Sequence, residues 1–389
     1  MRILTVTAEV PWPPMGGAQT RNAYLAQALA EKHEVVVAAF DWGDRLEDPP
    51  SGVELHRVPW ELPEALGGSG SAQQASAGGG GSTNPEPYSV AMYESPAMAR
   101  LVGNLCTMWD PDVAVLTETA MARFRTNLPA GLPFVLDLHD VHAVKQARNG
   151  DHREASLLRS FESAAVRSAA RTVCVSDLEA RHAQDVLGAR QVTVVPNGVD
   201  VHRFAPAEQD GDARRLVFTG SLHTQENIEA VIWLVRCVLP LVWRQEPTVT
   251  LDVVGAGPDD RVRALATDRV QVFADVPDTR PFLYAAGVAV APLRNGGGTR
   301  LKVLEAAAAG RSVVSTSLGI EGLSFRPGHE VEVADDESGF AEAIVRLCRS
   351  PILRGARAAA GRRAALAYDW TLIGARWRWV VETAAGVSA

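Results

Sequence analysis

Short apolar runs rich in β-branched residues alternate with longer helical segments along this chain, and near residue 200 the alternation starts again. The first set of runs falls at residues 3–7, 35–39, 53–58, 113–116, 134–138, 172–175 and 192–195. Helical segments at 18–31, 90–108, 153–170 and 177–187 separate them. The second set falls at 216–219, 249–254, 270–273, 288–291, 312–315 and 331–333, interleaved with helices at 228–243, 300–309 and 339–348. Continuously apolar strands separated by helices require parallel sheets covered on both faces. At 389 residues the chain also exceeds the roughly 250–300 at which a single core usually divides. The reading is α/β, with two tandem Rossmann-like, doubly wound domains over 1–200 and 201–370.

One stretch breaks the pattern. Residues 66–83 hold seven glycines and four serines, and no charge lies between Glu64 and Glu86. Such a segment buries too little apolar area to order itself and is expected to be a flexible loop. Its Gly-Gly-Gly-Gly-Ser portion resembles an engineered linker. The net charge of −8 argues against a nucleic-acid partner, which needs basic surface to meet phosphates. Four scattered cysteines with no metal-type spacing, no signal-peptide pattern and no long apolar span suggest a soluble, cytoplasmic protein. The C-terminal part is basic, with Arg376 and Arg378 among three tryptophans (Trp370, Trp377, Trp379), so weak contact with a membrane surface is conceivable. A solvated helix face with its tryptophans turned inward is the plainer alternative.

In doubly wound sheets, ligands meet the loops after the strands. The first such loop ends in Gly16-Gly17 at a helix start, where backbone N–H groups suit an anion or a sugar hydroxyl. It lacks the Gly-x-Gly-x-x-Gly spacing of dehydrogenases. The second is Arg294-Asn-Gly-Gly-Gly-Thr-Arg-Leu-Lys-Val-Leu-Glu305. Gly296, Gly297 and Gly298 let backbone approach a ligand closely and aim amides at it. Arg300 and Lys302 then place cations in the first helical turn, the unfavourable end of the helix dipole, which a bound anion would explain. Lys302 is one of only three lysines, against 35 arginines. Glu305, in the same helix, suits vicinal hydroxyls of a ribose. His139, in Asp137-Leu-His-Asp140, ends a first-domain strand. Trp42 and Trp60 each follow a strand and suit stacking on a sugar or apolar aglycone, or ordinary packing.

Taken in order, these segments resemble the retaining glycosyltransferases of family 4, which have the GT-B fold. The resemblance rests on the Pro11–Gly17 loop, Val175-Ser-Asp177, Val194-Val-Pro-Asn-Gly-Val-Asp200, Val217-Phe-Thr-Gly-Ser-Leu222, Gly255-Ala-Gly-Pro258 and, above all, Gly296–Ala306. It implies two domains facing a cleft, an acceptor-binding first domain and a second that holds a nucleotide-sugar donor. It also implies that the last helix, 371–389, crosses back to the first domain. Glu305 matches the second glutamate of the family's Glu-seven-residues-Glu motif, at the donor ribose. His139 matches the histidine at the donor sugar, and Gly16 and Gly17 the glycines under the diphosphate. Ser221, Gly296–Gly298 and Thr299 fall among the donor contacts. Two departures stand out: the motif's first glutamate would fall at Gly297, and the cations expected near Gly220-Ser-Leu-His-Thr-Gln-Glu-Asn227 are absent, so Arg300 and Lys302 take their place.

The implied activity is retaining, front-face transfer of a sugar to a hydroxyl of a glycan, lipid-linked or small-molecule acceptor. His139, Arg300 and Lys302 would be the catalytic residues, with no metal and no cofactor beyond the donor substrate. The chain would act as a monomer or homodimer. Alternatives are a catalytically dead relative that binds a nucleotide sugar or serves as a partner subunit, which the loss at Gly297 allows, and a sugar-nucleotide epimerase on the same fold.

Overall fold

The computed structural model describes residues 1–43, 47–66, 86–207, 210–296 and 300–387. The chain divides into two compact units, Met1–Pro196 with Ile373–Ala389, and Asn197–Leu372. The glycine- and serine-rich segment lies outside the described residues from 67 to 85, as do Gly297, Gly298 and Thr299.

The first unit holds strands β1 (Arg2–Thr7), β2 (Glu34–Asp41), β3 (Val53–Pro59), β4 (Val113–Thr117), β5 (Phe134–Leu138), β6 (Arg171–Cys174) and β7 (Val192–Val194). They form one parallel sheet in the order β3-β2-β1-β4-β5-β6-β7. The second unit repeats the scheme with β8 (Asp212–Thr219), β9 (Thr250–Gly255), β10 (Val270–Ala274), β11 (Ala286–Ala291), β12 (Ser312–Ser315) and β13 (Glu332–Val333), in the order β10-β9-β8-β11-β12-β13. These are two Rossmann-like sheets, each reversing its strand order once, at β1/β4 and at β8/β11.

Burial follows position. Every residue of β4, β5, β11 and β12 is buried, because helices cover both faces of a central strand. The edge strands β3, β7 and β10 expose much of their length. Close approach at the strand ends constrains glycine: a Cβ on Gly255 would stand 1.7 Å from the Gly220 carbonyl oxygen.

The helix expected over 90–108 is two helices, Tyr88–Ala91 and Pro96–Met108. Pro96 cannot continue a helix from the preceding turn, but it opens the second one at N1, and the Ser95 hydroxyl caps it by accepting from the Met98 amide. The helix His142–Arg148 is too short, and Pro351–Ala365 too rich in scattered alanine and arginine, to show a clear apolar stripe in the sequence. The final helix, Trp370–Ala384, reaches into the first unit, where Ala28 fills the space beside Gly374 and His33 meets Glu382 at 2.9 Å. Trp370 and Trp377 are buried, while Trp379 is exposed. The basic run before it has internal partners: Arg346 and Arg357 bond Glu332, Arg349 bonds Glu246, and Arg362 donates to the Ala308 and Val201 carbonyls. No helix among the described residues is long and apolar enough to cross a membrane.

Candidate functional site

In the second unit, the strand-order reversal brings the loop after β8 beside the helix that follows β11. That helix, Leu301–Ala308, buries Val303, Leu304 and three alanines, which fixes its face toward the sheet. Lys302 lies in its first turn. Its Nζ donates to Asn227 Oδ1 at 2.6 Å and stands 4.1 Å from the centre of the Phe218 ring. The Asn227 amide is itself held, donating to the Ser221 carbonyl at 2.9 Å and to Thr224 Oγ1 at 3.0 Å. Gly220 leaves room for the cation, since a Cβ there would stand 2.8 Å from Nζ. Burial drives the pKa of Lys302 down to about 7, with Arg300 adding to the effect and Glu305 and Glu226 opposing it. The hydrogen-bond partner of this half-buried ammonium is thus a neutral amide, not a carboxylate.

Glu305 lies three residues on, on the same helical face. Burial raises its carboxyl to about 7 against the pull of Arg203 and Lys302. Arg300, half-buried, holds the N-cap position of the helix without a side-chain capping bond. Gly296 has φ +100°, and a Cβ on it would stand 2.9 Å from Glu226 Cγ and 3.3 Å from Arg300 Nη1. Two cations, a helix N-terminus and a carboxylate one turn inward suit a ligand that carries phosphate at one end and hydroxyls at the other.

The first unit holds a different charge cluster. Asp137 interrupts an otherwise apolar strand, and its carboxylate receives Arg21 in bidentate fashion, Nε to Oδ2 at 2.8 Å and Nη2 to Oδ1 at 2.7 Å. Both side chains are fully buried. Arg21 Nη1 also donates to the Pro196 carbonyl at 3.2 Å. Burial alone would raise Asp137; the Arg21 guanidinium and the neighbouring His139 outweigh it and hold the carboxyl well below the usual range. His139 Nε2 lies 3.5 Å from Asp137 Oδ2, and its Nδ1 lies 3.9 Å from Glu118 Oε1. Burial disfavours the imidazolium, but Asp137 and Glu118 overcome it and raise the pKa of His139. Glu118, directly after β4, has φ +64°, left-handed backbone that costs a residue with a Cβ about 1–3 kcal/mol.

Of the residues expected from sequence, the structure brings Ser221, Gly296, Arg300, Lys302 and Glu305 to one strand-end region of the second unit. In the first unit, His139 follows β5, and Gly16 and Gly17 open the helix Gly17–Ala30 that follows β1. The Gly16 amide donates to Gln19 Oε1 at 3.0 Å, and a Cβ on Gly16 would meet only that oxygen, at 3.7 Å, so the fold does not demand glycine there. Gly297, Gly298 and Thr299 lie outside the described residues. Sequence reasoning missed Asn227, Phe218, Arg21 and Glu118. Asp137 carried a usable signal, since a charge inside an apolar strand requires a buried partner. Trp42 and Trp60 stack on each other, ring centres 4.0 Å apart, and both indole N–H groups bond backbone carbonyls, of Ala8 and Met92. Asp259 caps a short helix through the Arg261 amide. No group of three or more His, Cys, Asp or Glu among the described residues is placed to hold a metal ion.

Comparison with known proteins follows the division into units. Residues 15–203 match the family described as Glycosyltransferase Family 4, and residues 213–350 match Glycosyl transferases group 1. A phosphatidyl-myo-inositol mannosyltransferase of Mycobacterium tuberculosis is 31% identical over 232 residues, 56% of this chain and 60% of that protein. A D-inositol 3-phosphate glycosyltransferase of Nocardiopsis dassonvillei is 29% identical over 280 residues, 62% of each. The matches thus span about three fifths of the length of these relatives. Sucrose-phosphate synthase from Thermosynechococcus elongatus superposes over 100% of both chains with a TM-score of 0.76 and 17% identity, a likeness of fold.

Proposed function

We propose that this chain, which belongs to the family 4 glycosyltransferases of GT-B fold, moves a hexosyl group from a nucleotide-sugar donor to an acceptor hydroxyl with retention of configuration. The observation that carries the reading is the Lys302 ammonium, half-buried at the β8/β11 reversal, whose hydrogen-bond partner among the described residues is a neutral amide at 2.6 Å. A donor diphosphate supplies the missing anion.

In this reading the bond between the sugar C1 and the diphosphate oxygen breaks, and a bond between C1 and the acceptor oxygen forms on the same face. The acceptor proton passes to the departing phosphate. Lys302 and Arg300 stabilise the charge that develops on that phosphate, which is electrostatic catalysis by fixed groups without a metal. Glu305 accepts hydrogen bonds from the ribose hydroxyls, and His139 meets the transferred sugar. Holding donor and acceptor together supplies the rest of the acceleration. Two relatives whose names specify inositol make an inositol-bearing acceptor, lipid-linked or free, the first class to assay.

The experiment is a thermal-shift panel of UDP-, GDP-, dTDP- and ADP-sugars, followed by transfer assays with the donor that binds. A ligand at 100 times its dissociation constant adds roughly 2.7 kcal/mol, which such a panel resolves. Product anomeric configuration is then read by NMR, with and without excess chelator. Binding without transfer or donor hydrolysis would convert the reading to a catalytically dead relative. An inverted product or loss of turnover in chelator would overturn retention or metal independence respectively.

A further inference from the structure

Strands β4 and β5 run parallel with Thr117 opposite Asp137, so residues 118 and 139 leave adjacent strand ends side by side. Glutamate 118 is there in left-handed backbone, φ +64°, which glycine or asparagine adopts more readily. Its Oε1 is buried, makes no hydrogen bond among the described residues and lies 3.9 Å from His139 Nδ1. On the other side of the ring, Nε2 lies 3.5 Å from Asp137, both of whose oxygens already receive Arg21. The imidazole therefore sits between a carboxylate fixed by an arginine and one whose inner oxygen faces the ring alone.

We propose that Glu118 is a positioning residue for His139: its carboxyl, held in strained backbone against Nδ1, sets the ring's orientation and the charge it presents to the sugar. This rests on the transfer reading, in which His139 meets the donor sugar; Glu118 acts through the imidazole and touches no substrate. The other charged and titratable groups around the pair are Asp137 and Asp140 at the end of β5, Arg21 on the helix Gly17–Ala30, His142 and Lys145 on the helix His142–Arg148, and Tyr93 with Glu9. Burial raises the Glu118 carboxyl, with Asp140 and Asp137 adding and His139 and Lys145 opposing. On His139, Glu118 is one of the contributions that favour the imidazolium.

The test is an NMR titration of the His139 ring in the full chain, assigned with His139→Gln, for the wild type, Glu118→Gln and Glu118→Gly. Removing an opposite charge at this distance is expected to lower the His139 midpoint by about 1 pH unit or more. The limb of the kcat profile governed by His139 should move with it. Glu118→Gly should show the same displacement with an unchanged or higher melting temperature, because glycine relieves the backbone. An unchanged midpoint in both variants would overturn the proposal, as would a fall in melting temperature of both beyond 10 °C, which would make Glu118 a structural residue. A displaced midpoint with unaltered turnover would support the coupling while overturning the sugar contact of His139.

Discussion

Each unit brings a cation into its interior near the carboxyl end of a parallel sheet, and the two cations are answered differently. Arg21 meets Asp137 through two hydrogen bonds with both side chains fully buried. Among the described residues, Lys302 bonds the Asn227 amide and stands over the face of Phe218. A paired buried ion stabilises its surroundings and resists removal, because deleting one partner strands the other. A desolvated ammonium without a carboxylate costs the folded chain free energy, which a bound anion returns. The first arrangement belongs to the scaffold under His139; the second is the one proposed above to meet an anionic ligand.

The comparison breaks first on stability. Asp137→Asn leaves Arg21 uncompensated and should cost about 3–5 kcal/mol. At about 2–4 °C per kcal/mol for a unit of this size, melting should fall on the order of 10 °C. Lys302→Met, which keeps the contact with Phe218, should hold or raise the melting temperature. Because the folded pKa of Asp137 is depressed, its contribution is complete above the unfolded value of about 3.9 and is lost as pH falls below it. Acid unfolding of Asp137→Asn should lack that component. Equal melting losses in Asp137→Asn and Lys302→Met would erase the distinction between the two sites.

His139→Ala tests whether the first unit's cluster also reaches the reaction. Losing one hydrogen bond to a charged or strongly polarised group costs roughly 1.5–3 kcal/mol, so turnover should drop about 10- to 150-fold. Nucleoside diphosphate affinity should stay within about twofold, since the proposed nucleotide contacts belong to the other unit. A parallel loss of nucleotide affinity would contradict the assignment.

Proton linkage gives a smaller, sharper signal. Lys302 titrates near 7 in the folded chain, well below its ordinary value, so folding is penalised below that pH and the penalty fades as pH rises toward about 10.4. A diphosphate that favours the ammonium should therefore take up a fraction of a proton at pH 8. Calorimetry in two buffers of different ionisation enthalpy measures it. Lys302→Met should abolish the uptake. The smallest effect belongs to Glu305→Gln, which should weaken nucleoside and nucleoside diphosphate about equally, because the ribose is common to both.

Much of this was legible in the residues. The central strands β4, β5, β11 and β12 announce themselves as apolar, largely β-branched runs, since a strand buried on both faces has few polar positions to confuse the pattern; the edge strands were legible from shorter β-branched cores. Lys302 was marked by a composition that otherwise avoids lysine, and by its place at the wrong end of a helix dipole. Asn227 and Phe218 were not legible, because they lie 75 and 84 residues away in sequence and only the β8/β11 pairing makes them neighbours. Glu118 was hidden for another reason: a left-handed backbone at a non-glycine residue leaves no signature in a single sequence. The split at Pro96 has a sequence signature in Ser95-Pro96, an N-cap followed by proline at N1, where proline starts a helix as readily as it ends one elsewhere.

The central claim is that Lys302 is held for a diphosphate. It is tested most directly by titrating the wild type and Lys302→Ala with the matching nucleoside and nucleoside diphosphate and comparing the two affinity ratios. The account predicts that the variant loses about 10- to 150-fold in diphosphate affinity and almost nothing for the nucleoside. Equal weakening of both ligands, or of neither, would make Lys302 a structural residue and place the phosphate clamp elsewhere.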